Sequence, residues 1–245
     1  MKNLLRFTIG GAVLAGSALL VAPNSAVGYS LLGQTLSTGQ RDSRLDNNFT
    51  AVGANNNTAT DANFPNYDGA ELTIWKAGAE WGARLFGNGT GDTTQTQLGD
   101  GGANFNFFFN GNASGIGGTN DNIHSEIGGS SGGVLAFCET PIDDGWRIRY
   151  YGSWSWQDGP GSVTSGICLQ GVATHEIGHA LGLGHSTVGG ATMYPSISGT
   201  GQVTRSIEAD DKAGVHANYG VLNAALMPRI DSVTEMMLSE TCLIS

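Results

Sequence analysis

Apolar side chains recur at three- and four-residue spacing over residues 71–86, where Ile74, Ala77, Gly78, Trp81 and Leu85 fall on one face. That period predicts a helix with one buried stripe. Trp75 and Trp81 carry the largest apolar area on it and are read as core. A second helical pattern covers 172–183, with Ile177, Ala180 and Leu181 turned inward. A third covers 206–219 and opens on Asp210 and Asp211, whose charges suit the positive end of a helix dipole. Elsewhere the period drops to two. Trp146, Ile148 and Tyr150 alternate with Arg147, Arg149 and Tyr151, which predicts a strand within 146–156. Looser alternation predicts strands within 41–49 and 120–127. The phenylalanine-rich segment 104–110 reads as a strand in the middle of the sheet. A glycine hinge from 130 leads into the apolar run Val134-Leu135-Ala136-Phe137. Segments 55–68, 87–102 and 198–206 are rich in Gly, Asn, Thr and Ser and read as loops.

The 245 residues are enough for one medium domain with a real core and a short appendage. Only 13% are charged and 39 are glycine, a composition suited to a loop-rich extracellular protein. The formal net charge is −10, and no basic cluster offsets it, so nucleic acid is excluded as a partner. Lys2 and Arg6 precede an apolar run over 7–21, and Ala26-Val27-Gly28 supplies small residues. Residues 1–28 therefore read as a signal peptide cut before Tyr29, with a cut after Ala26 as the alternative. No later segment could span a bilayer, so a secreted protein without stable membrane insertion is expected. After export Cys138 and Cys168 could pair, leaving Cys242 over, although spacing alone does not establish the pairing. Residues 29–220 form the expected domain. Residues 221–245 are too few to close another and read as a tail, or as the truncated start of a further module.

The chemistry lies in His175-Glu176-Ile177-Gly178-His179-Ala180-Leu181-Gly182-Leu183-Gly184-His185. Residues four apart on a helix lie about 40° apart around the axis, one turn up. His175 and His179 can thus hold one ion between them. Glu176 sits beside His179 and can lean over that ion without ligating it. Were the helix to continue, His185 would lie about 9 Å along the axis from His179. Gly182 tolerates the left-handed conformation that ends a helix, so the chain can turn and return His185 to the same ion. Three imidazoles with one open position describe a catalytic zinc site rather than a closed structural one. Such a site lowers the pKa of water to about 7, and a neighbouring carboxylate can take the proton. His124, alone on a predicted strand, reads as a surface or core residue rather than a ligand.

This pattern resembles that of the metzincin metallopeptidases, His-Glu-x-x-His-x-x-Gly-x-x-His followed by a methionine turn. Within them it is similar to the matrixins, the family of the matrix metalloproteinase catalytic domains. Ser186 follows the third histidine, and Thr192-Met193-Tyr194-Pro195 resembles the matrixin Met-turn. Asp210-Asp211-Lys212-Ala213-Gly214-Val215, ending at Tyr219-Gly220, resembles the last helix, and Gly132-Gly133-Val134-Leu135-Ala136 the edge strand that receives substrate. The likeness runs from about residue 40 to residue 220 and is densest from 172 onward.

The resemblance implies an α+β fold. Its parts are a twisted, mostly parallel sheet with an antiparallel edge strand, a backing helix, the zinc helix and a C-terminal helix. It implies a secreted, monomeric zinc endopeptidase of bacterial type, acting on extracellular proteins. His175, His179 and His185 would hold the zinc, and Glu176 would activate the water. Met193 would floor the imidazoles without ligating. Val134, Leu135, Ala136 and Pro195 would line the substrate groove, and Asp210 and Asp211 would tie the last helix to the Met-turn or to the chain start. A non-catalytic, zinc-stabilised surface or adhesion module of the same fold is the alternative. Matrixins also place a histidine after Leu-Ala in the edge strand to help hold a second, structural zinc. Here that residue is Phe137, which speaks against the second zinc. Extracellular relatives bind calcium. Oxygen donors for it exist in the 120–121, 143–144 and 158–161 loops, where ordinary turn chemistry is the simpler reading.

Overall fold

The computed structural model describes residues 27–47, 64–82, 108–129, 132–139, 142–159 and 161–220, with positions 49, 58, 60–61, 103 and 105 between them. The apolar leader, the loop over 87–102, the glycine hinge at 130–131, Cys242 and the tail lie outside these residues.

Five strands make the main sheet: β2 (Asp42–Asp46), β5 (Phe108–Ala113), β6 (Ile123–Ile127), β7 (Ala136–Glu139) and β8 (Arg147–Tyr151), in the order β5-β2-β6-β8-β7. All neighbours run parallel except β7, which pairs antiparallel with β8 through Ala136↔Tyr150 and Cys138↔Ile148. β7 is thus the antiparallel edge that the resemblance implies. The alternation over 146–151 holds, since Trp146, Ile148 and Tyr150 are wholly buried. Two segments differ from their patterns. The phenylalanine-rich strand is displaced to 108–113 and lies at the far edge of the sheet, not its middle. Within the expected loop 55–68, β3 (Thr60–Asp61) and β4 (Phe64–Asp68) pair antiparallel.

Helix α1 (Gly69–Gly82) follows β4 directly and is buried on almost every side, Glu71 being the exception. Its pattern predicts one apolar stripe, but α1 is in contact with β2, β4 and β5 as well as with α2 (Leu169–Ala180). Trp81 is wholly buried, and its indole N–H donates to the Thr174 carbonyl at 2.9 Å, tying α1 to α2. Trp75 belongs to a smaller cluster with Leu72, Ala79, Tyr67 and Phe109. Even the charged residues of α1 are drawn in: Glu80 is buried and accepts from the Ile207 N–H at 2.9 Å.

Two short strands, β9 (Trp156–Gln157) and β10 (Ile167–Cys168), pair parallel and lead into α2. Cys168 caps that helix, its Sγ accepting from the Gly171 N–H at 3.4 Å. Cys138 and Cys168 are both free thiols, so the pairing that spacing allowed is not formed. Beyond α2, β11 (Leu183–Gly184) pairs antiparallel with β1 (Ser30–Leu31), and α3 (Ala209–Tyr219) closes the domain. Among the described residues no helix is long and apolar enough to cross a membrane.

Candidate metal centre

Helix α2 ends as Gly182 predicts. The Gly182 N–H donates to the His179 carbonyl at 2.9 Å, and its φ is +85°. A Cβ there would lie 2.3 Å from the Gln34 carbonyl oxygen, so both the conformation and the space require glycine. The chain then reverses into β11, which β1 holds in place, and the Ser30 hydroxyl donates to the His185 carbonyl at 2.8 Å.

The reversal brings the three histidines together. Ring centroids are 4.8 Å apart for His175 and His179, 4.9 Å for His179 and His185, and 5.4 Å for His175 and His185. One ligating atom from each lies within 4.8 Å of the others, and this is the only such group of three among the described residues. The donor chemistry fits a metal. His175 Nδ1 lies 2.6 Å from the Thr192 carbonyl, and His179 Nδ1 lies 2.7 Å from the Leu183 carbonyl. A carbonyl can only accept, so each Nδ1 carries the proton and each Nε2 keeps a bare lone pair. Burial, helped by the neighbouring imidazoles, lowers the pKa of His175 to about 3 and that of His179 to about 4. Both rings are therefore neutral over the ordinary pH range, as ligation requires.

Glu176 is 5% exposed. Its carboxylate accepts from the backbone N–H of Cys138 on β7, while Oε2 has no hydrogen-bond partner. Burial raises its pKa to about 8. One oxygen is thus tethered to the edge strand and the other is held in reserve.

Met193 is 1% exposed and packs against α2 at Gly178, where an added Cβ would meet its Sδ at 2.2 Å. The turn around it is closed by the Ser186 N–H donating to the Met193 carbonyl at 2.8 Å. Asp211 holds this turn to α3. Its carboxylate accepts from the N–H groups of Thr192 at 2.7 Å, Met193 at 2.9 Å and Glu208 at 2.8 Å. Asp210 reaches the segment before β1, accepting from the Gly28 N–H at 2.8 Å and the Ser186 hydroxyl at 2.7 Å. A hollow lined by Val27, Val188, Asp210 and Ala213 lies beside α3 rather than over the histidines. Its only ionisable groups are the Glu208 and Asp210 carboxylates, and no imidazole reaches it.

The residues expected to line the substrate groove lie at the start of β7 and in the turn at Pro195: Val134 and Pro195 are exposed, Leu135 is half-buried and Ala136 is buried. The Leu135 carbonyl accepts from the Tyr151 N–H, so in this antiparallel pair Ala136 turns its own polar groups away from β8, toward the free edge. Sequence reasoning missed the orienting partners: the carbonyls of Thr192 and Leu183, the Cys138 N–H, and the Trp154 indole that donates to the Val134 carbonyl at 2.9 Å. All but the indole are backbone groups, which leave no residue-type signal. His124 is wholly buried against Trp146 and Tyr150, with Nδ1 2.9 Å from the Tyr150 hydroxyl, and it takes no part in the histidine cluster.

Comparison with known proteins agrees with this geometry. Residues 103–220 match the family model described as Matrixin. The chain is 46% identical over 68 residues to matrilysin of Rattus norvegicus, covering 28% of this chain and 24% of that protein. It is 40% identical over 106 residues to metalloendoproteinase 1-MMP of Arabidopsis thaliana, covering 42% and 28%. It is 42% identical over 89 residues to the hatching enzyme of Paracentrotus lividus, covering 36% and 14%. The chain thus spans about a quarter, or less, of the length of the curated relatives it matches. Motif, strand order and family match converge on one stretch: residues 103–220 are similar to the matrixin family and contain the three-histidine motif.

Proposed function

We propose that this chain is a secreted zinc endopeptidase that cleaves extracellular proteins. The single observation that carries the reading is a tethered, half-unpartnered carboxylate beside three convergent imidazoles. His175, His179 and His185 would hold zinc, which supplies a Lewis acid able to polarise a carbonyl and acidify water. Substrate lies extended along β7 and pairs with the free polar groups of Ala136. Glu176 Oε2 takes a proton from the attacking water and hands it to the leaving amine nitrogen. The Cys138 N–H bond fixes that carboxylate relative to the same strand that aligns the peptide. Met193 gives the imidazoles a packed floor, and Asp210 and Asp211 anchor the surrounding turns. All these residues come from one chain, so a monomer suffices.

Secretion is supported by the composition and the apolar leader. Of the two cuts, we propose the one after Ala26. It retains Gly28, which is buried, donates to Asp210, and accepts from the Thr187 N–H at 2.9 Å.

The test is the purified protein on a denatured protein substrate, with chelator and then with zinc restored. Cleavage should vanish and return. Glu176→Ala should keep its zinc and lose about 10²–10⁴-fold in turnover. Zinc binding without cleavage by the wild type would favour the silent-module alternative. Equal cleavage by wild type and Glu176→Ala would refute the role of Glu176.

A further inference from the structure

The matrixin resemblance raises the question of structural cations, a second zinc and calcium, and the residues present do not fit them. At the second-zinc position Phe137 packs on Tyr151, with ring centroids 5.7 Å apart, and its cross-strand partner is Arg149. The neighbouring carboxylate on β7, Glu139, is bonded to Arg147.

The loops that offer oxygens to calcium are occupied in the same manner. In the loop before β6, Arg44 donates to the Asp121 carbonyl and Arg147 to the Gly117 carbonyl. The Asp121 carboxylate is spent on the Gly118 N–H at 2.6 Å. In the next loop Asp144 accepts from the Asn120 side-chain amide at 3.1 Å. In the third, Arg205, wholly buried, donates to the carbonyls of Gly161 at 2.9 Å and Gly159 at 3.3 Å, while the Thr73 hydroxyl bonds the Asp158 carbonyl. A guanidinium cannot be deprotonated in a protein, and it presents several donors in a fixed fork. Each of these arginines therefore supplies the positive charge and the directed contacts that a divalent ion would bring. It also repels such an ion from the oxygens it holds.

We propose that the three histidines are the one metal site among the described residues, and that Arg44, Arg147 and Arg205 serve as built-in cations in the loops where structural ions would otherwise sit. Only the count of one rests on the zinc reading of the histidines.

Metal content and melting temperature test it in the intact protein. Protein purified in zinc-containing buffer and dialysed should hold one zinc per chain, and His179→Ala none. Zinc persisting in His179→Ala would contradict the histidine site itself. A second equivalent in the wild type, lost separately from the first, would overturn this proposal alone. With zinc bound, 5 mM calcium chloride should move the melting temperature by less than about 2 °C. An extracellular-type calcium site, with dissociation constant about 10⁻⁴–10⁻³ M, would raise it by several degrees, and that result would also overturn the proposal. Arg147→Met and Arg44→Met should each lower the melting temperature by several degrees. No loss in either would mean that the arginines are not staples. Arg44 and Arg147 are chosen because Arg205→Met, wholly buried, risks not folding.

Discussion

A methyl group at position 178 would sit 2.2 Å from Met193 Sδ and 3.0 Å from the Trp81 ring. In an exposed helix Gly→Ala gains up to about 1 kcal/mol. Here overpacking opposes that gain and costs about 1–3 kcal/mol. Gly178→Ala should therefore be net destabilising in urea denaturation and should weaken zinc binding by displacing the floor; a variant as stable as wild type would sink the packing argument. His124 makes a second residue-level case. Burial lowers its pKa from about 6.5 to about 3, so acid protonates the unfolded chain first. Its neutral burial favours the fold fully above pH ~6.5, and that contribution is lost as pH falls toward ~3, a few kcal/mol at most. His124→Asn should flatten the acid limb of stability against pH relative to wild type. Parallel acid limbs would show that His124 does not drive it. At this scale the metal site was legible because its three histidines and its glutamate lie within eleven residues and obey helix geometry. Their orienting carbonyls were not, since any residue can supply one.

Among the elements, α3 and the Met-turn act as a unit through Asp211, which is buried and satisfies three N–H groups at once. Asp211→Ala strands all three. We expect a loss of about 3–5 kcal/mol in stability, with weaker zinc retention because the Thr192 carbonyl that orients His175 moves with the turn. Calorimetry and zinc competition would measure both, and a loss below 1 kcal/mol would contradict the assignment. Helices α2 and α3 and strand β8 could be read from periodicity, which is a local property. The position of β5 could not, because strand order depends on pairings with distant segments, and Phe109 suits an edge packed by Tyr67 and Trp75 as well as a centre. The β3–β4 pair escaped because turn-forming residues mask short strands.

For the molecule as a whole, a bound metal stabilises the folded state alone and so shifts the folding equilibrium. At a free zinc concentration 1,000 times its dissociation constant the gain is about 4 kcal/mol. For a domain of this size that corresponds to roughly 8–16 °C in melting temperature. Stripping zinc should lower the transition by that order, and His185→Ala should melt close to the stripped wild type. A transition unmoved by zinc would show that the three histidines do not grip it.

Behind the third histidine, several chain segments meet. The Leu32 N–H donates to the Gly182 carbonyl at 2.8 Å, and the Asn218 amide donates to the carbonyls of Leu181 and Gln34 at 3.0 Å each. The Leu36 N–H reaches the Tyr219 hydroxyl at 2.9 Å. Both flanks of the domain are therefore lashed to the same bend. Anything tethered at either flank, a fusion partner, a surface anchor or a bead in a pulling experiment, would load that bend first, and force would reach the grip on zinc before it reached the sheet.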